Sequence, residues 1–127
     1  LLADPQLASR LGYAIAKRFF TDHVETVAAP SIWGAGLAQW VGYFLEPKAK
    51  VVYATPTNGN GVTLAEHLLP HIANRRVLLI DNLVMTGETM RRFAESMEGH
   101  GATVAGIGTL WNLSDAVIAG HPVTGLL

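Results

Sequence analysis

A chain of 127 residues that is 50% hydrophobic and 15% charged, with a net charge of -1, has the length and composition of one domain with a real core. This balance excludes the disordered class and gives no electrostatic basis for binding nucleic acid or an anionic membrane. The absence of cysteine excludes disulfides, thiolate metal sites and cysteine nucleophiles; no apolar stretch reaches the ~18 residues of a membrane span, and the N-terminus lacks a basic-then-apolar leader, so a soluble, cytoplasmic protein is expected.

Asp4 followed by Pro5 predicts a helix start, an acid at the cap and proline at the first helical position. Leu7, Leu11, Ile15 and Phe19 then recur every fourth residue and form one apolar stripe. Val24 to Ala29 reads as a strand closed by Pro30, Gly34 to Leu45 as a helix, and Lys50 to Ala54 as a second strand. Thr55 to Gly61, TPTNGNG, is the most turn-rich segment and is expected to be mobile. Leu64 to Ile72 suggests a short helical or hairpin piece. Val77 to Ile80, an apolar run between Arg76 and Asp81, suits a strand buried on both faces of a parallel sheet and ending at Asp81. A helix is expected from Thr89 to His100, stopped by Gly101. Val104 to Trp111 reads as another strand and Val123 to Leu127 as a last one. The alternation predicts an α/β fold, a Rossmann-like parallel sheet with helices on both faces, in a single domain over residues 1–127.

The chemistry concentrates in Val77 to Met90, VLLIDNLVMTGETM. Asp81 and Asn82 stand at a strand's carboxyl end, where open α/β sheets bind ligands. Thr86 and Thr89 are candidate N-caps, and Gly87 lets the backbone come close to a ligand. A helix N-terminus with free N–H groups is an anion site, although a Thr-Gly cap requires no ligand at all. Elsewhere the signals are thinner. Gly34-Ala35-Gly36 is followed by Gln39 where a dinucleotide turn needs Gly or Ala. His67 and His71 are separated by Pro70 and lack the HExxH pattern of a metal site. Arg75-Arg76 and Arg91-Arg92 read as solvated faces. Trp33 either covers a ligand ring or packs.

The stretch resembles the phosphoribosyl pyrophosphate (PRPP) signature of the type I phosphoribosyltransferases: four apolar residues, two acids, two apolar residues and a Thr-Gly loop. Here these are Val77 to Ile80, Asp81 and Asn82, Leu83 and Val84, then Met85 to Thr89. Ala28 to Ala38, AAPSIWGAGLA, is similar to the pyrophosphate loop and following helix of the orotate branch, as are the opening LLADPQLASRLGYAIAKRF and the ending GHPVTGLL. The resemblance implies a type I core with the N-terminal hood of the orotate enzymes absent or minimal. It implies a PRPP-dependent glycosyl transfer that joins ribose 5-phosphate to a nitrogenous base, with Mg²⁺ carried on PRPP and Asp81 the one protein group near it. It also implies a homodimer. Asp81 and Asn82 would be the catalytic pair on the ribose hydroxyls. Met85, Thr86, Gly87, Glu88 and Thr89 would hold the 5'-phosphate, and Ser31, Ile32, Trp33 and Gly34 the pyrophosphate.

Departures from the family pattern bear on activity. Asn82 replaces the second acid and brings no charge to an oxocarbenium-like transition state. Thr55-Pro56 stands where the orotate branch has Arg and Lys, and no Lys or Arg occurs between Lys50 and Arg75. Trp111, Asn112 and Leu113 replace an Asp-Arg pair, so orotate is a poor acceptor, and Met85 replaces the aspartate of the hypoxanthine and guanine branch. These departures motivate an alternative, a catalytically weak or inactive PRPP- or nucleotide-binding regulatory domain of the same fold. A third reading is an unrelated Rossmann-like domain whose Thr-Gly turn is only a cap.

Overall fold

The apolar run Val77 to Ile80 becomes the axis of the molecule in a computed structural model that describes residues 3–57 and 61–127. The strand carrying it is β5 (Arg76–Val84), preceded by α1 (Pro5–Ala16), β1 (Thr26–Ala29), α2 (Ile32–Phe44), β2 (Lys50–Tyr53), β3 (Thr55–Pro56) and β4 (Val62–Thr63). It is followed by α3 (Glu88–Gly99), β6 (Thr103–Asn112), β7 (Val117–Ile118) and β8 (His121–Gly125). The six-stranded sheet runs β2-β1-β5-β6-β8-β7. All pairs in it are parallel except β7 with β8.

Alternation along β5 explains the unbroken apolar run, because each face of the sheet is covered. Leu78 and Ile80 pack with Ile15, Phe19, Leu37 and Val41 of the α1 and α2 layer. Val77 and Leu79 pack with Met90, Phe93, Ala94 and Met97 of α3. All four β5 side chains are fully buried, and each contributes about 1.5–3 kcal/mol of apolar transfer. The expected α/β architecture, helices on both faces of a mainly parallel sheet, is what the chain adopts.

The ends of α1 and α3 follow their sequence signals. Asp4 Oδ1 accepts from the N–H groups of Gln6 at 3.0 Å and Leu7 at 3.3 Å, with Pro5 opening α1. Past α3, Gly101 takes φ +91°, its N–H bonds the Glu98 carbonyl at 3.0 Å, and the Ala102 N–H bonds that of Met97 at 3.1 Å. This is the Schellman closure glycine permits.

Other boundaries differ. Helix α2 begins at Ile32 rather than Gly34, because the Ser31 hydroxyl caps it by accepting from the Trp33 N–H at 3.3 Å. Strand β5 runs past Asp81 to Val84, since β6 extends alongside and pairs Leu83 with Trp111 and Val84 with Asn112. The Leu64 to Ile72 piece is a 3-10 stretch, Glu66–His71, containing Pro70. Strand β8 starts at His121, where β7, an unforeseen strand, folds back antiparallel onto it. The turn-rich segment opens with β3, which pairs antiparallel with β4 just beyond it. Asn58, Gly59 and Asn60, where mobility was expected, lie outside the described residues.

Candidate functional site

The loop between β5 and α3 is built on one left-handed residue. Gly87 has φ +86° and stands at the N-cap of α3, its carbonyl accepting the Arg91 N–H at 2.8 Å. Neither candidate threonine caps the helix. The Thr86 hydroxyl accepts from the Glu88 N–H at 3.3 Å, whereas Thr89 already lies inside the first turn. Met85, Thr86, Glu88 and Thr89 are exposed and Gly87 is half-buried. The loop therefore presents hydroxyls and first-turn N–H groups, which have no helical partner, toward solvent.

A cavity of about 230 Å³ opens beside this loop, lined by Asp81, Leu83, Val84, Met85, Thr86, Gly87, Thr89 and Met90. Most of the signature thus gathers around one hollow at the carboxyl end of β5. Burial holds the Asp81 carboxyl above the ordinary Asp range, opposed by the hydrogen bond it accepts from the Asn82 N–H at 2.8 Å. Glu88 is absent from this lining. Its carboxylate is bonded to Arg91 and Arg92, which hold it below the usual Glu range.

The first turn of α2 adjoins the same strand end. A Cβ on Gly34 would stand 3.1 Å from Asp81 Oδ1 and 3.3 Å from the Ile80 carbonyl, so glycine is what lets α2 approach this closely. The Asn82 amide donates to the Trp33 carbonyl at 2.7 Å. Ser31, Ile32, Trp33 and Gly34 are thus brought next to Asp81 and Asn82, although the last three are helical rather than part of a free loop. Trp33 is 80% exposed, so of the two roles open to its indole, packing is not the one it performs.

Sequence reading missed the far wall of the loop. A methyl on Gly87 would lie 3.2 Å from Ile118 and 3.3 Å from Ser114. Ser114 is held by Asn112, whose Oδ1 accepts from its N–H at 3.0 Å and its hydroxyl at 2.7 Å. Asn112-Leu113-Ser114 carries the signal of such an Asx turn, but nothing local says that it packs against Gly87.

The remaining candidates lie elsewhere. Arg76 is half-buried rather than solvated: its Nε donates to the Asp22 carbonyl at 2.8 Å, while Arg75 pairs with Glu25 at 3.2 Å. A larger cleft of about 400 Å³, lined by Thr26, Lys50, His71 and Arg75 among others, sits at the amino ends of the strands and holds none of the signature residues. Among the described residues, no group of three or more His, Asp or Glu is placed to hold a metal, and no helix is long and apolar enough to cross a membrane.

Comparison with known proteins agrees with this fold. The chain is 30% identical over 128 residues to an orotate phosphoribosyltransferase of Thermus thermophilus, covering 100% of this chain and 68% of that one. It is 27% identical over 125 residues to a xanthine phosphoribosyltransferase of Bacillus mycoides, covering 83% and 61%. In fold it superposes on the orotate phosphoribosyltransferase of Mycobacterium tuberculosis solved in complex with PRPP, with a TM-score of 0.76 at 14% identity over 99% of this chain and 75% of that one. The family model described as the phosphoribosyl transferase domain matches residues 5–119, and the chain belongs to that family, the type I phosphoribosyltransferases.

Proposed function

We propose that the protein is a PRPP-dependent phosphoribosyltransferase that joins ribose 5-phosphate to a nitrogenous base and releases pyrophosphate. The observation that carries this reading is the cavity in which the half-buried Asp81 carboxylate and the start of α3 share one wall. The 5'-phosphate sits on the N–H groups and hydroxyls of Met85 to Thr89. Asp81 accepts from the ribose hydroxyls, while Asn82, at the second position of the pair, bonds the Trp33 carbonyl, and the first turn of α2 from Ser31 to Gly34 takes the pyrophosphate through backbone N–H groups. The chain's own contribution is to orient the sugar and the incoming nitrogen so that the C1–N bond forms as the C1–O bond to pyrophosphate breaks.

The half-buried Asp81 carboxylate is a hard oxygen donor with no group of three or more His, Asp or Glu around it among the described residues, which fits Mg²⁺ carried on substrate phosphates with its waters. Bound beside Asp81, it would supply neutralisation of the leaving pyrophosphate. Leu113, 54% exposed where the orotate branch has arginine, points to an acceptor other than orotate. A homodimer in the cytoplasm belongs to the same proposal.

Calorimetry with Mg-PRPP, followed by pyrophosphate release across a panel of nucleobases, tests it. Absence of any heat or thermal shift at saturating PRPP rejects the reading. Binding without release from any base selects instead a regulatory PRPP- or nucleotide-binding domain. That second reading is favoured by Asn82, which is bonded to the protein's own backbone.

A further inference from the structure

Asn82 stands where the family has its second acid, and its surroundings are those of a structural tie. Its Nδ2 reaches across the strand end to the Trp33 carbonyl at 2.7 Å. Its Oδ1 is buried without a hydrogen-bond partner. A buried acceptor left unpaired is unfavourable, yet turning the amide over would set Oδ1 against the Trp33 carbonyl, acceptor against acceptor. The carbonyl therefore fixes which end of the amide faces α2, and an ionised carboxylate at this position has no proton to offer it.

We propose that Asn82 is a positioning residue that ties the first turn of α2 to the carboxyl end of β5 and holds Ser31 to Gly34 against Asp81. It does this in place of a second acid on the ribose. The bare Cα of Gly34 against Asp81 Oδ1 shows how close the two segments must stay for the tie to span them. Restoring the family acid, Asn82→Asp, is then expected to release the α2 turn rather than to improve the enzyme. The inference rests on the assignment of Ser31 to Gly34 to pyrophosphate only for its ligand consequences.

The test uses the full chain with Trp40→Phe and Trp111→Phe, so that Trp33 is the sole indole of the three in the sequence. In the ligand-free protein, Asn82→Ala lowers the fluorescence anisotropy of Trp33. Asn82→Asp, whose carboxylate has no proton to give the Trp33 carbonyl, lowers it as well at pH 7. Unchanged anisotropy in both variants overturns the proposal. If Asn82→Ala does not fold, the near-isosteric Asn82→Asp at pH 7 decides alone, and unchanged anisotropy overturns it.

With ligands, each variant loses about tenfold in affinity for Mg-pyrophosphate, the scale of one well-placed hydrogen bond, while ribose 5-phosphate affinity stays within about twofold. Loss of ribose 5-phosphate binding in Asn82→Ala, with Asn82→Asp at or above the parent, makes Asn82 a ribose ligand and overturns the tie. A parent chain that binds neither ligand removes the proposed function but leaves the anisotropy result to judge the tie.

Discussion

Replacing Gly87 by alanine separates a phosphate cradle from an ordinary helix cap. The residue sits at φ +86°, and a non-glycine residue held in the left-handed region costs about 1–2 kcal/mol. The added methyl meets Ile118 Cδ1 at 3.2 Å and Ser114 Cβ and Oγ at 3.3 Å, contacts that close with shifts of a few tenths of an ångström. Together these place the cost at about 1–2.5 kcal/mol, or a fall in Tm of roughly 3–10 °C for a domain of this size. Gly87→Asn adds the same Cβ but tolerates the left-handed region better, so its smaller loss isolates the backbone contribution. Differential scanning calorimetry reads the stability, and titration with ribose 5-phosphate reads the site. Alanine at this position is expected to weaken ribose 5-phosphate at least tenfold, because the N–H groups of the loop lose their aim. A wild-type Tm refutes the backbone argument. A lowered Tm with unchanged affinity refutes the cradle and leaves Gly87 as a cap only.

Asp81→Asn is expected to raise Tm at pH 7 while weakening PRPP. Burial raises the Asp81 pKa, so the wild-type group's favourable contribution is complete below its ordinary value of 3.8 and is lost as pH rises through the folded value. Melting curves of variant and parent should therefore converge toward acid, and a variant less stable than the parent at neutral pH contradicts the burial argument. Glu88→Gln has the opposite sign: Arg91 lowers the Glu88 pKa, so the pair helps above about 4.5 and fades as pH falls. The variant's small deficit should shrink in acid and in high salt. Trp33→Ala removes an indole that is 80% exposed, so urea unfolding should change by less than about 0.5 kcal/mol, while nucleobase binding weakens if the indole covers the ring. Phe93→Ala, at a fully buried position of α3, should cost about 3–5 kcal/mol by the same measurement.

The parts of this molecule legible in its sequence are those fixed by neighbours in the chain. Asp4-Pro5 announces α1 and Gly101 ends α3, because capping bonds span a few residues. The double-faced burial of β5 is legible in Val77 to Ile80, because an unbroken apolar run has few other uses. What escaped the reading depends on partners distant in sequence. Strand β5 continues to Val84 only because β6 runs alongside it, so Asn82, expected just past the strand's end at Asp81, is a strand residue. Ser31 caps α2, but this cap signal overlaps the pyrophosphate-loop pattern, which sets the expected helix start at Gly34 rather than Ile32. The tie from Asn82 to Trp33 joins residues far apart in the chain, and no local pattern encodes it.

Charge sets the remaining question about turnover. The segments at the carboxyl end of the sheet read Ser31-Ile32-Trp33-Gly34, Tyr53-Ala54-Thr55-Pro56, Asp81 through Thr89, and Trp111-Asn112-Leu113-Ser114, and none contains lysine or arginine. Arg91 and Arg92, one turn along α3, are engaged with Glu88. On the proposed function, a departing pyrophosphate would be stabilised by backbone N–H groups and by the cation it carries, with little fixed positive charge from these segments in a site where such charge counts most. The 5'-phosphate would make no such demand, since it keeps its charge throughout and, on the proposed assignment, rests on the α3 terminus. Under the proposed function, the chain would therefore be better suited to holding a sugar phosphate than to expelling pyrophosphate quickly. Introducing a cation tests this directly: Thr55→Arg, on the exposed β3 edge, should raise kcat more than it lowers KM if leaving-group charge is what limits the reaction. A fall in KM with kcat unchanged would show uniform binding instead and move the limit to the Asp81 side of the site.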